Sequence, residues 1–164
     1  MPDLFYDTID SVIGRLWIYA NQRERVYGVS FGKRKDLPEI FSLKPAKGEC
    51  DGIKQQLKEY LNRKRTSFAI EYELAGTTFQ KLVWKALLAI PYGQVLSYSA
   101  LAARIDRPAS TRAVGNALGA NPIAIIVPCH RVIRNSGELG GYSGGLDKKR
   151  FLLGLEGSLD KIKF

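Results

Sequence analysis

The segment Ile123-Ala124-Ile125-Ile126-Val127-Pro128-Cys129-His130-Arg131-Val132-Ile133 decides how the C-terminal half of the chain is interpreted. Its first five residues are apolar and mostly β-branched, a composition typical of a buried strand. Pro128 has no backbone N–H, so it ends strand pairing and favours a turn. The sequence therefore predicts that the Cys129 thiol lies where a buried strand meets a polar segment, a suitable position for the nucleophile of a pocket.

Cys129 has two interpretations. A free cysteine is most often a small buried hydrophobe. Here the only histidine of the chain, His130, and the basic Arg131 follow it, and both can lower a thiol pKa and favour the reactive thiolate. Because adjacent side chains point in different directions in extended structure, we expect a bridging water rather than a direct hydrogen bond between Cys129 and His130.

Length and composition limit the class of protein. The chain has 164 residues, enough for one ordinary domain or two small ones, and its hydrophobic content of 45% is typical of a globular protein. It contains no run of about 18 apolar residues that could span a membrane. Residues 1–7 lack the basic and then apolar pattern of a signal peptide. We therefore expect an intracellular, cytoplasmic protein.

The cysteine and histidine content argues against a metal site. Two cysteines, Cys50 and Cys129, and one histidine are too few for a four-ligand zinc site. Cys50 lies in a polar stretch near a predicted helix start and is interpreted as incidental. We expect both thiols to be free in a reducing compartment, with no metal and no cofactor.

The positive charge of the chain is unevenly distributed. Of the net charge of +9, residues 1–76 carry +2 and residues 77–164, which include Cys129, carry +7. A basic surface favours a polyanion, most commonly nucleic acid. A solvated basic face without a partner is the alternative.

Aromatic and β-branched runs predict a small sheet in the N-terminal part. Residues 4–6, 14–20 and 26–31 form three such runs, separated by polar turns. Residues 51–61 have apolar side chains at helical spacing, and residues 68–74 alternate as a strand does.

A second part of the chain is predicted to begin after Ala75-Gly76. Thr77 and Gln80 fit a capping box, and Pro91-Tyr92-Gly93 ends the helix that follows. Trp84 lies off the predicted apolar face of this helix. That face consists of Phe79, Leu82, Val83, Ala86, Leu87 and Ile90.

Two short helices then form a helix-turn-helix candidate. They are predicted at residues 97–105, with a serine cap, and at residues 110–120, before Asn121-Pro122. The second helix is rich in Ala and Gly, and only Arg112 in it is long and charged. Small side chains let another surface approach closely, so both a DNA groove that receives Arg112 and tight helix–helix packing stay open.

A glycine-rich loop precedes the last predicted helix. Gly140-Gly141-Tyr142-Ser143-Gly144-Gly145 exposes backbone N–H donors and can wrap a flat ligand, but it lacks the lysine and spacing of a P-loop. A helix over residues 146–155 follows, with Glu156 after its end.

Pro128-Cys129-His130-Arg131-Val132 resembles the active-site signature of the 6-O-alkylguanine-DNA alkyltransferases, also called methylated-DNA–protein-cysteine methyltransferases. The resemblance extends over residues 76–156 as an ordered set of motifs and is faint over residues 1–75. The other matching segments are residues 76–80, 83–84, 97–98, 112–115, 121–122, 140–146 and 152–156.

This resemblance implies a role for each residue of a reaction centre. Cys129 accepts an alkyl group as a thiolate, and His130 takes the thiol proton through a water. Glu156 orients His130 and balances its charge. Asn121 ties the helix-turn-helix to the cysteine segment. Tyr98 helps to rotate the nucleotide, and its hydroxyl hydrogen-bonds the departing guanine.

The same resemblance implies a DNA interface in the minor groove. Arg112 fills the gap left in the base stack when the damaged base is flipped out. The implied DNA-binding residues are Arg112, Tyr98, Ser110, Thr111, Ala113, Gly115 and Asn116. The implied base pocket consists of Val132, Tyr142, Ser143 and Gly144. Minor-groove binding through small residues reads no sequence, which suits a protein that scans all DNA.

The expected fold is therefore α+β. A small sheet-plus-helix support domain of ribonuclease H-like type occupies residues 1–75, and a mostly helical domain with the helix-turn-helix occupies residues 76–164. The expected activity is irreversible, stoichiometric transfer of the alkyl group of 6-O-alkylguanine, and of 4-O-alkylthymine, in double-stranded DNA to Cys129. The protein is expected to act as a monomer.

The alternatives to this activity are lesion binding without repair, helix-turn-helix regulation and cysteine hydrolysis. A lesion-binding protein or a helix-turn-helix regulator would use Cys129 only structurally; a related group that binds lesions without repair has tryptophan at this position. A cysteine hydrolase would need a directly paired histidine, and His130 is badly placed for that role. Some relatives carry an N-terminal zinc site whose ligands this chain lacks.

Overall fold

A computed structural model describes residues Met1 to Phe164, and the chain forms two compact units. The first unit comprises Met1–Ala75 together with Pro122–Ala124, and the second comprises Gly76–Asn121 together with Ile125–Phe164. Residues 122–124 were predicted to belong to the second domain. They group with the first because Ile123 pairs with Val29 there. No helix is both long enough and apolar enough to cross a bilayer.

The first unit is built on a mixed four-stranded sheet with the order β3-β2-β1-β4. Strands β1 (Asp3–Ser11), β2 (Gly14–Ala20) and β3 (Val26–Ser30) are antiparallel neighbours, and β4 (Ser42–Pro45) runs parallel to β1. The three antiparallel strands were predicted. Strand β4 was not, because its short and largely exposed sequence has no apolar alternation.

One helix accompanies this sheet. Helix α1 (Asp51–Leu61) buries its apolar positions, as predicted, and is tied to β1 by an ion pair of 2.7 Å between Lys54 Nζ and Asp7 Oδ2. Cys50 precedes α1 and is fully buried, and this burial raises its thiol pKa to about 12. Cys50 is therefore an inert structural thiol.

Residues 68–74 do not form the predicted regular strand. Tyr72 makes an isolated parallel bridge to Val26, supported by the N–H of Val26 donating to Glu71 and the N–H of Glu73 donating to Val26. The alternating pattern is real, but Leu74 is the one buried residue of this segment, so little apolar burial favours a longer pairing.

The second unit is mostly helical. Its elements are α2 (Thr78–Leu88), β5 (Leu96–Ser97), α3 (Tyr98–Arg104), α4 (Thr111–Gly119), β6 (Val132–Ile133) and α5 (Leu146–Leu155). The capping box of Thr77 and Gln80 at α2 is confirmed. Helices α3 and α4 form the helix-turn-helix.

The apolar face of α2 differs from the prediction at two residues. Trp84 is buried, and its indole N–H donates to the Ala117 carbonyl of α4 at 2.8 Å, whereas Leu82 is 39% exposed. A buried indole needs a hydrogen-bond acceptor. The carbonyl of Ala117 supplies it, so this contact rotates the buried face of α2 toward Trp84.

The apolar segment before Cys129 is buried but is not a strand. Ile123 makes one isolated bridge, residues 124–126 form turns, and Ile125 has a left-handed φ of +73°. That conformation is rare for a β-branched residue and costs about 1–3 kcal/mol. Burial of the five apolar side chains of residues 123–127 offsets this cost. The segment leads into a 3-10 turn at Cys129–Arg131.

Candidate active site

Parallel pairing of β5 with β6 places Tyr98 close to the cysteine segment. Leu96 pairs with Val132 and Ser97 with Ile133, and α3 begins immediately afterwards with the Ser97 hydroxyl accepting from the Ala100 N–H. A cavity of about 150 Å³ opens beside this pair of strands. Its lining residues are Tyr98, Gly115, Leu118, Gly119, Cys129, Gly141, Tyr142 and Ser143.

The cavity has room for one small ligand. Pockets for drug-sized ligands measure about 300–1,000 Å³, so this one is smaller. Of the predicted base-pocket residues, Tyr142 and Ser143 line it, whereas Val132 and Gly144 do not. Val132 is completely buried, and its carbonyl accepts a hydrogen bond from the Lys149 ammonium.

Cys129 is held as a buried thiol at this cavity. Its side chain is 4% exposed, and the amide of Asn121 donates to Sγ at 3.2 Å and to the Val127 carbonyl at 2.8 Å. Burial raises the thiol pKa, while the hydrogen bond from Asn121 and the charge of Lys149 oppose that effect. The resting residue is therefore a neutral thiol that needs a base.

The prediction that His130 and Arg131 lower the thiol pKa is wrong for this resting state. The 3-10 turn directs both side chains to Glu156 instead. Arg131 donates from Nε and Nη2 to the two carboxylate oxygens at 2.9 and 2.8 Å, and from Nη1 to the Ile90 carbonyl at 2.6 Å. Its charge is balanced there and does not act on Cys129.

Glu156 is a buried carboxylate that stays ionised. Burial raises its pKa, but the hydrogen bonds and charges of His130 and Arg131 outweigh burial and bring the pKa to about 2. His130 is completely buried, and this burial lowers its pKa despite the carboxylate 2.9 Å from Nε2. The pair is therefore a carboxylate and a neutral imidazole at neutral pH.

The state of this pair determines which histidine nitrogen is basic. An ionised carboxylate only accepts hydrogen bonds, so Nε2 of His130 carries the proton and donates to Glu156. Nδ1 then carries the lone pair, and this atom is buried without a hydrogen bond to the protein. The arrangement can take up one proton at Nδ1 while Glu156 stabilises the resulting imidazolium.

Lys149 is the site residue that sequence analysis missed. It is completely buried, and its ammonium donates to the carbonyls of Val132, Leu139 and Gly141 at 2.6, 2.5 and 3.0 Å. Burial lowers its pKa to about 8. Lys149 thus connects β6 to the glycine-rich loop and places a positive charge near the Cys129 thiol.

The surface of α4 is divided between packing and exposure. Val114, Ala117 and Leu118 are buried, whereas Arg112, Ala113 and Asn116 are exposed. Ser110 and Thr111 are half-buried at the start of the helix, and Gly115 reaches the cavity. One face of α4 therefore packs inside the unit, which is the second alternative, and the other face leaves an open surface of small residues with Arg112 on it.

Removing the Glu156 charge should flatten the acid limb of the stability curve. A carboxyl with a pKa of about 2 in the folded protein and 4.5 otherwise stabilises the fold above pH 4.5, and this contribution disappears as the pH falls toward 2. Denaturant unfolding between about pH 6 and pH 2 should show that the wild type loses about 3 kcal/mol more than Glu156→Gln does. Parallel curves for the two proteins would contradict the ionised state of Glu156.

Replacing Lys149 should loosen the glycine-rich loop. Lys149→Met keeps the apolar stem but leaves three carbonyls without their donor, so we expect a loss of about 1–3 kcal/mol in stability and faster amide exchange in residues 139–145. Lys148→Met is the matched control on the same helix. Similar exchange rates in both variants would show that the ammonium does not order the loop.

Comparison with known proteins gives two family-model matches. The model described as 6-O-methylguanine DNA methyltransferase, DNA binding domain, matches residues 78–158, and its ribonuclease-like domain matches residues 4–74. Together the two matches cover nearly the whole chain.

Individual proteins agree with these matches. The methylated-DNA–protein-cysteine methyltransferase of Mycobacterium bovis is 46% identical over 155 residues, 94% of this chain and 93% of that protein. The protein of that name from Methanosarcina barkeri is 44% identical over 158 residues, 93% of this chain and 97% of its own length.

A solved structure extends the similarity to three dimensions. The crystal structure of Mycobacterium tuberculosis OGT in complex with DNA matches with a TM-score of 0.84 and 44% identity, covering 96% of this chain and 94% of that chain. With both family models matched and the buried cysteine, histidine and glutamate in place, the chain belongs to the 6-O-methylguanine DNA methyltransferase family.

Proposed function

We propose that this protein repairs DNA by transferring the alkyl group of 6-O-alkylguanine, and of 4-O-alkylthymine, to Cys129, once per molecule. The observation that carries the proposal is the Cys129 thiol at a small cavity, followed in the chain by a neutral His130. Nε2 of His130 is hydrogen-bonded to the Glu156 carboxylate, which leaves Nδ1 as the basic nitrogen. Relatives named methylated-DNA–protein-cysteine methyltransferases support the reaction class.

The reaction proceeds by proton removal and displacement. Nδ1 of His130 accepts the Cys129 proton through a water, and Glu156 stabilises the imidazolium. The thiolate attacks the alkyl carbon, the bond from that carbon to the guanine oxygen breaks, and its electron pair goes to the base. Tyr98 hydrogen-bonds the departing guanine. The thioether product is stable, so the protein turns over once.

Asn121 acts on the nucleophile in this mechanism. Its amide donates to Sγ, which favours the thiolate over the thiol as the proton leaves. The same amide fixes the Val127 carbonyl and so connects the residue after α4 to the cysteine turn.

The partner is double-stranded DNA, bound by a monomer through the minor groove. The exposed face of α4 approaches the groove closely because its side chains are small, and Arg112 fills the place of the base that enters the cavity. A Mycobacterium tuberculosis relative at 44% identity has been crystallised with DNA. The protein works inside the cell, where its DNA substrate is.

A mass spectrum tests the reaction and the nucleophile together. After incubation with a duplex that carries one 6-O-methylguanine, the peptide containing Cys129 should gain one methyl group per protein, and Cys50 should gain none. Cys129→Ser should bind the same duplex without gaining mass. Tight binding by the wild type without any mass gain would instead identify a lesion-binding protein.

Arg112→Ala should separate base flipping from alkyl transfer. Loss of the side chain that fills the base stack should slow the reaction with duplex DNA roughly tenfold or more, because flipping costs a few kcal/mol. The rate with the free alkylated base should stay unchanged. Arg150→Ala, an exposed arginine on α5, is the control. Equal losses on duplex and free base would count against the role of Arg112.

A further inference from the structure

We propose that Arg134 binds the phosphate next to the flipped nucleotide, and that Glu138 holds its guanidinium when DNA is absent. This inference rests on the proposed function, because it concerns how the same cavity receives its nucleotide from DNA. Neither residue belongs to the reaction centre described above.

Strand register places Arg134 beside Tyr98. Ser97 ends β5 and pairs with Ile133, which ends β6, so the next residues along the two parallel strands are Tyr98 and Arg134. Both side chains pack against Gly140. If Gly140 carried a Cβ atom, that atom would lie 3.0 Å from the Tyr98 hydroxyl and 3.3 Å from Arg134 Cγ. Arg134 therefore lies beside Tyr98, and Tyr98 lines the cavity.

The turn that carries Arg134 is fixed to the helix-turn-helix. The N–H of Arg134 donates to the Glu138 carbonyl and the N–H of Gly137 donates to the Arg134 carbonyl, both at 2.9 Å. Asn135 Oδ1 accepts hydrogen bonds from the backbone N–H and the hydroxyl of Ser99, at 3.2 and 2.7 Å. The root of the Arg134 side chain is therefore held in place relative to α3.

The charged end of Arg134 is available to an anion. Its side chain is 62% exposed, and its ion-pair partner is Glu138, which is 60% exposed, at 3.6 Å. Such an exposed pair is weak. A guanidinium binds a phosphate with the same forked geometry that it uses to bind a carboxylate. A DNA phosphate beside Arg134 can therefore replace Glu138.

The difference in exposure between Arg134 and Arg131 supports this assignment. Arg131 is buried and held by Glu156 and the Ile90 carbonyl, so it cannot reach DNA. Arg134, three residues later, is the exposed arginine at the end of β6. Its position beside Tyr98 suits the phosphate of the nucleotide whose base has turned into the cavity, because the proposed function has Tyr98 contact that nucleotide.

The test measures duplex binding and alkyl transfer as functions of salt. The variants are Arg134→Gln, Arg134→Lys, Glu138→Gln and the Arg134→Gln/Glu138→Gln double variant. The probe is a duplex with one 6-O-methylguanine between about 50 and 200 mM salt, together with the free alkylated base. The exposed pair Arg15–Asp10, with the two side chains 57% and 78% exposed, supplies the matched controls Arg15→Gln and Asp10→Asn.

Loss of one phosphate contact should lower the salt slope of binding by about one. We therefore expect Arg134→Gln to weaken duplex binding roughly threefold to tenfold at low salt, with an unchanged rate on the free base, and Arg134→Lys to retain the slope. Glu138→Gln should strengthen binding about twofold to threefold, and this gain should shrink in the double variant.

Other outcomes would overturn the proposal. An Arg134→Gln slope equal to that of the wild type, or a loss no larger than that of Arg15→Gln, would show that Arg134 contacts no phosphate. An undiminished gain from Glu138→Gln in the double variant would show that Glu138 acts on DNA directly. Wild-type protein that accepts a methyl group neither from the duplex nor from the free base would refute the proposed function itself, whatever the salt dependence of binding.

Discussion

The buried carboxylate of Glu156 is the interaction on which the site depends. It receives hydrogen bonds from Arg131 and His130 and joins the cysteine turn to the end of α5. A charge buried at this depth is tolerated only when its partners satisfy it, and removing one partner leaves an uncompensated charge. The arginine thus keeps the glutamate ionised, and the ionised glutamate fixes the tautomer of the histidine. Three buried side chains therefore set the direction in which the site can accept a proton.

Two different sets of residues act on the neighbouring thiol and imidazole. Sequence adjacency suggests that His130 and Arg131 act on Cys129 directly, but the 3-10 turn points them toward α5. The thiol instead meets the amide of Asn121 and the charge of Lys149. The resting thiol is neutral because burial outweighs both. This suits a protein with one irreplaceable nucleophile, since a neutral buried thiol reacts slowly with adventitious oxidants.

Elements with local signals could be predicted from sequence, and those set by distant contacts could not. The capping box at Thr77 and the serine cap at Ser97 were confirmed. The apolar run at residues 123–127 predicts a strand, and this prediction is wrong because burial alone does not distinguish a strand from buried turns. The left-handed conformation of Ile125 has no sequence signal. Trp84 was misassigned because its acceptor lies on another helix.

The site residues divide in the same way. Cys129, His130 and Glu156 were found through a motif, and the structure pairs His130 with Glu156 and places the Asn121 amide on Cys129 Sγ. Lys149 was missed because a lysine in a charged helical segment normally points to solvent. Its burial depends on carbonyls from three separate positions, of which Val132 lies in β6 and Gly141 in the loop. Only the folded chain brings those acceptors to one point.

The basic charge of the second half of the chain therefore has two functions. Arg131 and Lys149 are buried and hold the cysteine turn and the glycine-rich loop, so their charges are balanced or shielded inside the unit. Arg112 and Arg134 remain exposed near the cavity that Tyr98 lines. A net charge read from sequence counts both kinds equally. Only the exposed kind can neutralise phosphates and release counterions, so the electrostatic contribution to DNA binding must be smaller than the formal charge implies.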